Sequence, residues 1–121
     1  MLHFASTRIR DEVGPRLQVG LVPVDKQFAD WCSRERGVEP HRLGRWMTVL
    51  KPTNILHFEP FLFVHLKNTD SHLLIDGTHR YVACALLGIP EFPAIIVPEP
   101  EWKEYLIEMP PFSLKGWSGI R

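Results

Sequence analysis

The sequence predicts a mixed α/β domain. N-terminal helices lie against a small mixed sheet, with a β-hairpin and a strand–glycine–helix–strand unit at its centre. Three observations carry this. Phe61-Leu-Phe-Val-His-Leu-Lys67 and His72-Leu-Leu-Ile75 are β-prone runs joined by the polar turn formers Asn68-Thr-Asp-Ser71. Residues 78 to 87 carry apolar side chains at helical spacing, with Val82, Ala85, Leu86 and Ile89 as the stripe and Gly88 as the stop. Phe92-Pro-Ala-Ile-Ile-Val97 is a short apolar run bounded by prolines.

The remaining elements follow in order. Residues 1–16 show no sustained periodicity and are punctuated by Gly14-Pro15, which predicts an irregular, loosely docked arm. Leu17 to Val24 reads as an edge strand because it contains Gly20 and Pro23. Asp25 then caps a helix bearing Phe28, Ala29, Trp31 and Cys32, and Gly37 ends it. A second helix runs from Pro40 to Leu50, where Leu43, Trp46, Met47 and Leu50 share a face and Lys51-Pro52 closes it. If Lys67 pairs with His72, then Leu62, Val64, Leu66, Leu73 and Ile75 point to the core. Phe61, Phe63, His65, Lys67, His72, Leu74 and Asp76 then form a mixed face open to solvent or ligand. The strand after the helix makes a βαβ-like unit, and a last helix is expected from Glu101 to Glu108. The expected division is an arm over residues 1–16, one domain over residues 17–109 and a tail over residues 110–121, since 121 residues supply one core.

Composition bounds the function. At 45% hydrophobic and 23% charged residues, the chain has ordinary globular usage. No apolar run is long enough for a membrane span and no secretory core is visible, so the expected location is the cytoplasm. Lys plus Arg number 14 and Asp plus Glu number 14, which argues against bulk electrostatic coating of nucleic acid. The charge is nevertheless polarised: Arg34, Arg36, Arg42, Arg45 and Lys51 form a basic segment, and the residues from Glu91 to Glu108 form an acidic one. Cys32 and Cys84 have no CxxC partner and read as small buried thiols. His57, His65, His72 and His79, spaced by eight, seven and seven, fit no zinc template. Trp31 and Trp46 sit at core spacing within their helices.

The chemistry concentrates after the hairpin. A buried strand ends at Asp76-Gly77 and a helix begins at once, leaving its first backbone N–H groups directed outward with the positive end of the helix dipole. Gly77 admits a ligand to the backbone, Thr78 offers a hydroxyl, and His79 and Arg80 add a donor and a permanent cation. A phosphate group suits these residues. Asp76 has two readings, a magnesium ligand or general base beside the phosphates, and a turn residue bonded to its own backbone. Glu59 lies before the first hairpin strand and can reach the same edge.

The stretch Ile75-Asp-Gly-Thr-His-Arg-Tyr-Val-Ala-Cys-Ala-Leu-Leu-Gly-Ile-Pro-Glu-Phe-Pro-Ala-Ile-Ile-Val97, with Glu59-Pro-Phe-Leu-Phe-Val64 before it, resembles the ParB/sulfiredoxin-like superfamily. The shared pattern is a strand, a G-x-x-R loop, an Ala-rich helix ending in Leu-Gly and a Val-Pro-type strand, over roughly a third of the chain. The resemblance implies that Gly77, Thr78, His79 and Arg80 cradle the phosphates of ATP or CTP with Mg²⁺, and that Arg80→Ala abolishes nucleotide binding without unfolding the chain. It also implies differences. Thr78 stands where sulfiredoxins carry their reactive cysteine, and neither the second phosphate motif nor the attached DNA-binding helices of ParB clamps are present.

Three functions stay open. One is a nucleotide-binding domain, as an ATP-dependent phosphotransferase or phosphohydrolase with Asp76 and Glu59 as catalytic carboxylates and Asp76 on the metal. The second is a nucleic-acid-binding or nuclease-like protein using the basic segment. The third is a non-catalytic interaction module of a mobile element. Oligomeric state is not readable.

Overall fold

Phe61, Leu62, Phe63 and Val64 are all buried, at 0%, 0%, 8% and 0% exposure. A run without alternation belongs to a strand covered on both faces. The computed structural model describes residues 3–107 and shows this arrangement. Its elements are α1 (Ser6–Glu12), β1 (Gly20–Pro23), α2 (Lys26–Glu35), α3 (Pro40–Val49), β2 (Phe61–Leu66), β3 (Ser71–Asp76), α4 (Thr78–Leu87), β4 (Glu91–Val97) and α5 (Glu99–Trp102), with short 3-10 turns at Gly14–Arg16, Ile55–His57 and Lys103–Tyr105. The fold class is mixed α/β. The sheet order is β1-β4-β2-β3, with β2 and β4 parallel and the other neighbours antiparallel. No helix among the described residues is long and apolar enough to cross a membrane.

Two apolar layers flank the sheet. Ala29, Cys32, Phe61, Phe63, Leu74, Tyr81, Cys84 and Phe92 form the layer under α2, α3 and α4, while Ile9, Val13, Leu62, Val64, Val97 and Trp102 form the layer under α1 and α5. The mixed face expected for the hairpin is therefore not open: Phe61, Phe63 and Leu74 lie in the first layer, and the polar positions His65, Lys67 and His72 collect at the turn end. Residues 28 to 50 and 78 to 87 cover this face through contacts remote in sequence.

The arm expected over residues 1–16 is ordered instead. Ile9 and Val13, four apart, give α1 a narrow apolar stripe that is fully buried. Arg8 and Glu12 pair at 2.9 Å on its outer side. Gly14-Pro15 ends the helix and opens a 3-10 turn rather than a loose loop. The layer is closed by backbone bonds from Ala5 N–H to the Tyr105 carbonyl (2.8 Å) and from Ile107 N–H to the His3 carbonyl (2.9 Å).

Further differences concern register and connection. His65 pairs with His72 and Leu66 with Ser71, so the pairing is slipped by two residues from the Lys67–His72 register while the loop keeps its length, and His65 does not face Leu74. A shift of two preserves the faces, and Leu62, Val64, Leu66, Leu73 and Ile75 do share one layer. Asp70 fixes the turn with φ +48° and a 2.7 Å bond to His65 Nε2. The β3–α4–β4 segment is not a parallel crossover, because β2 lies between β3 and β4 and those two run antiparallel. In α4 the buried positions run from Arg80 to Cys84 and Leu86 is 61% exposed, since α2 and α3 pack beside the helix as well as the sheet below it. The last helix begins earlier than expected, at Glu99 with Pro100 in its first turn, and has given way to a 3-10 turn by Lys103. Glu108 and the tail over residues 110–121 lie outside the described residues.

Because α1 is part of the core, Ile9→Ala should lower the unfolding free energy by about 2–5 kcal/mol, as a buried Ile truncation does. Urea denaturation followed by circular dichroism checks this; a midpoint equal to wild type would mean a detachable arm.

Candidate functional site

Gly77 is the hinge between β3 and α4. Its φ is +108°, and a Cβ there would stand 2.8 Å from Phe61 Cδ1 and 3.2 Å from Arg80 Nη2. Only glycine fits both the backbone conformation and the space. No side chain caps α4, and the residues of its first turn line a cavity of about 680 Å³. The cavity gathers Arg36 and Gly37 from the end of α2, Arg42 and Trp46 from α3, His57, Phe58 and Glu59 from the approach to β2, and residues 75 to 80.

The six site residues read from the sequence all line this cavity, in roles that differ. Arg80 is 7% exposed and forms part of the wall. Its Nη1 donates to the Glu59 carbonyl, and the guanidinium lies 5.5 Å from the Trp46 and Phe61 rings and 5.9 Å from Phe92. Burial draws its pKa below the ordinary guanidinium value, opposed by the Asp76 charge. Thr78 Oγ1 accepts a 3.1 Å bond from Arg36 Nη1. His79 turns toward α3, where its Nε2 accepts the Glu39 backbone N–H at 3.0 Å. That bond requires a neutral ring. Burial first, then the Arg42 charge, holds the His79 pKa below the usual histidine value, against the pull of Glu39.

The carboxylates are held by a residue the sequence reading missed. Arg10 of α1 bonds Asp76 Oδ2 through Nη2 (2.8 Å) and Nε (3.2 Å), and its Nε lies 3.3 Å from Glu59 Oε2. A bulge in β3 makes this possible. Leu62 pairs with Asp76 while Phe63 pairs with Leu74, so Ile75 is the extra residue and Asp76 comes opposite Leu62 on the α1 side of the sheet. Of the basic segment, Arg36 and Arg42 line the cavity, Arg34 is paired with Asp30 at 3.1 Å, and Lys51 lies outside. Nothing near Arg10 in sequence could have announced its contact 66 residues away.

The other candidates separate. His57 and His79 line the cavity while His65 and His72 pair across the hairpin, and no group of three or more His, Cys, Asp or Glu among the described residues is arranged to hold a metal ion. Cys32 and Cys84 are free and buried, and burial pushes the Cys84 thiol up to about 11, which keeps it protonated. Trp31, expected in the core, is 37% exposed and stacks on Phe28, while Trp46 is half-buried and borders both core and cavity. Comparisons with protein-family models, curated proteins and solved structures returned no significant match.

Gly77→Ala should destabilise the chain by about 1–3 kcal/mol, from backbone strain together with the Phe61 clash, as thermal denaturation would register. His79 sets a pH dependence of known sign. Its folded pKa lies below the unfolded one, so its contribution is intact above about pH 6.5 and is lost as pH falls through the folded value. Urea titrations at about pH 7.5 and 5.5 should show a smaller acid loss in His79→Gln, which cannot charge, than in wild type.

Proposed function

We propose that the chain is a nucleotide-phosphate-binding domain of the ParB/sulfiredoxin-like kind, taking ATP or CTP phosphates at the start of α4. The observation that carries this is the charge arrangement of the cavity. Arg36, Arg42 and Arg80 line it together with uncapped helix amides, while both lining carboxylates, Glu59 and Asp76, are already paired with Arg10. Cavity cations are thus left for an anion of more than one charge. Arg36 and Arg42 are the ligands at the mouth, and Arg80 supplies positive potential from the wall.

Asp76 keeps Oδ1 outside its Arg10 bonds, and Mg²⁺ held there would complete its shell with phosphate oxygens and water. A general-base role for Asp76 or Glu59 requires Arg10 to withdraw from the oxygens it occupies. Binding is therefore the activity assigned, and phosphotransfer or phosphohydrolysis would depend on that withdrawal.

Arg80→Ala is unsuited as the test, because removing a buried cation bonded to a carbonyl disturbs the fold as well as the site. Calorimetric titration of ATP and of CTP, each with Mg²⁺, into wild type, Arg36→Ala and Arg42→Ala separates the two. Wild type should bind at least one nucleotide, and each variant should bind it about tenfold or more weakly with an unchanged melting curve. Absence of binding by wild type would leave the loop as a structural turn and favour an interaction module.

A further inference from the structure

A second cavity, of about 400 Å³, adjoins the first across α3 and is lined by Arg42, Arg45, Trp46, Thr48 and Val49. Arg42 and Trp46 belong to both. Arg42, Arg45 and Val49 follow one another at steps of three and four, so they lie along one exposed strip of the helix. Among the described residues neither Arg42 nor Arg45 enters an ion pair, whereas Arg8, Arg10, Arg16 and Arg34 all do. A row of guanidinium groups outside any ion pair thus leads out of the first cavity and over the helix.

We infer that the ligand of this surface is the end of a single-stranded nucleic acid, its terminal phosphate at the start of α4 and its next phosphates over Arg42 and Arg45. The inference rests on the phosphate reading of the first cavity and extends it. A free nucleotide leaves the second cavity and Arg45 without a role, while a phosphodiester chain places a charge at each step. Trp46 and Phe58, edge-to-face at 5.8 Å, line the first cavity and offer aromatic surface to an unpaired terminal base, whose faces a duplex would keep stacked. With zero net charge, affinity depends on these local contacts and not on a long-range field. Three contacts, at Arg36, Arg42 and Arg45, set a slope of log K against log salt near about −2 for a single strand.

The test uses a 5′-phosphorylated, fluorescein-labelled single strand of about eight nucleotides, the matching duplex, and a mononucleotide, with wild type and Arg45→Ala. Anisotropy should show the single strand bound more tightly than the mononucleotide and than the duplex. Arg45→Ala should weaken the single strand several-fold and make its salt slope shallower by about 0.7, with mononucleotide affinity unchanged. An Arg45→Ala protein that binds the single strand like wild type, or a duplex bound equally well, overturns the inference. Mononucleotide binding in that case leaves the phosphate reading standing. If wild type binds neither mononucleotide nor strand, both readings fall together.

Discussion

The buried guanidinium of Arg80 is the constraint around which the site is arranged. A cation taken out of water needs compensation, and here it comes from the Glu59 carbonyl and from three aromatic rings contributed by α3, β2 and β4. The arrangement fixes the approach of α4 to the sheet. It leaves no room for a side chain at Gly77, ties the segment before β2 to the first turn of α4, and spreads positive potential into the cavity without placing the charge in solvent. The residue that looks like a ligand in sequence is thus the support for the ligands.

Arginines elsewhere divide into two kinds by their partners. Arg10 ties down the two carboxylates, and its reach depends on the extra residue in β3, without which Ile75 and not Asp76 would come opposite Leu62. Arg36 and Arg42 enter no ion pair among the described residues and line the cavity, Arg36 donating there to the Thr78 hydroxyl. Net charge, zero for the whole chain, conceals this sorting.

Local signals in the sequence carried the element order and the Gly77–Arg80 turn, because caps, turn formers and apolar spacing act over a few residues. Hairpin faces survived a register error everywhere except at Asp76, which the bulge moves from the expected mixed face to the α1 side, since the error was two residues and side chains alternate with a period of two. What covers each face was not legible in the same way. Phe61-Leu-Phe-Val64, apolar without a break, was the available sign of two-sided burial, yet alternation beyond it at His65 and Lys67 suggested an open face. Two apolar residues in α1 were too few to mark it as core. The cavity gathered Arg36 and Arg42 of the basic segment with the G-x-x-R loop, which sequence reading assigned to separate functions, because α2 and α3 return over α4 by contacts that no spacing rule expresses.

The bonds between residues 3–5 and 105–107 have a consequence for the order of folding. Glu12 and Tyr105, joined at 3.0 Å, are 93 residues apart, and Arg8 also lies over the Tyr105 ring, so the α1 layer is closed by contacts that span most of the described chain. During synthesis α1 emerges long before the strands and the α5 segment that bury it. Local structure in the hairpin and α4 can form while Ile9 and Val13 still wait in solvent, and the layer beneath α1 seals only when the chain has been made as far as residue 107.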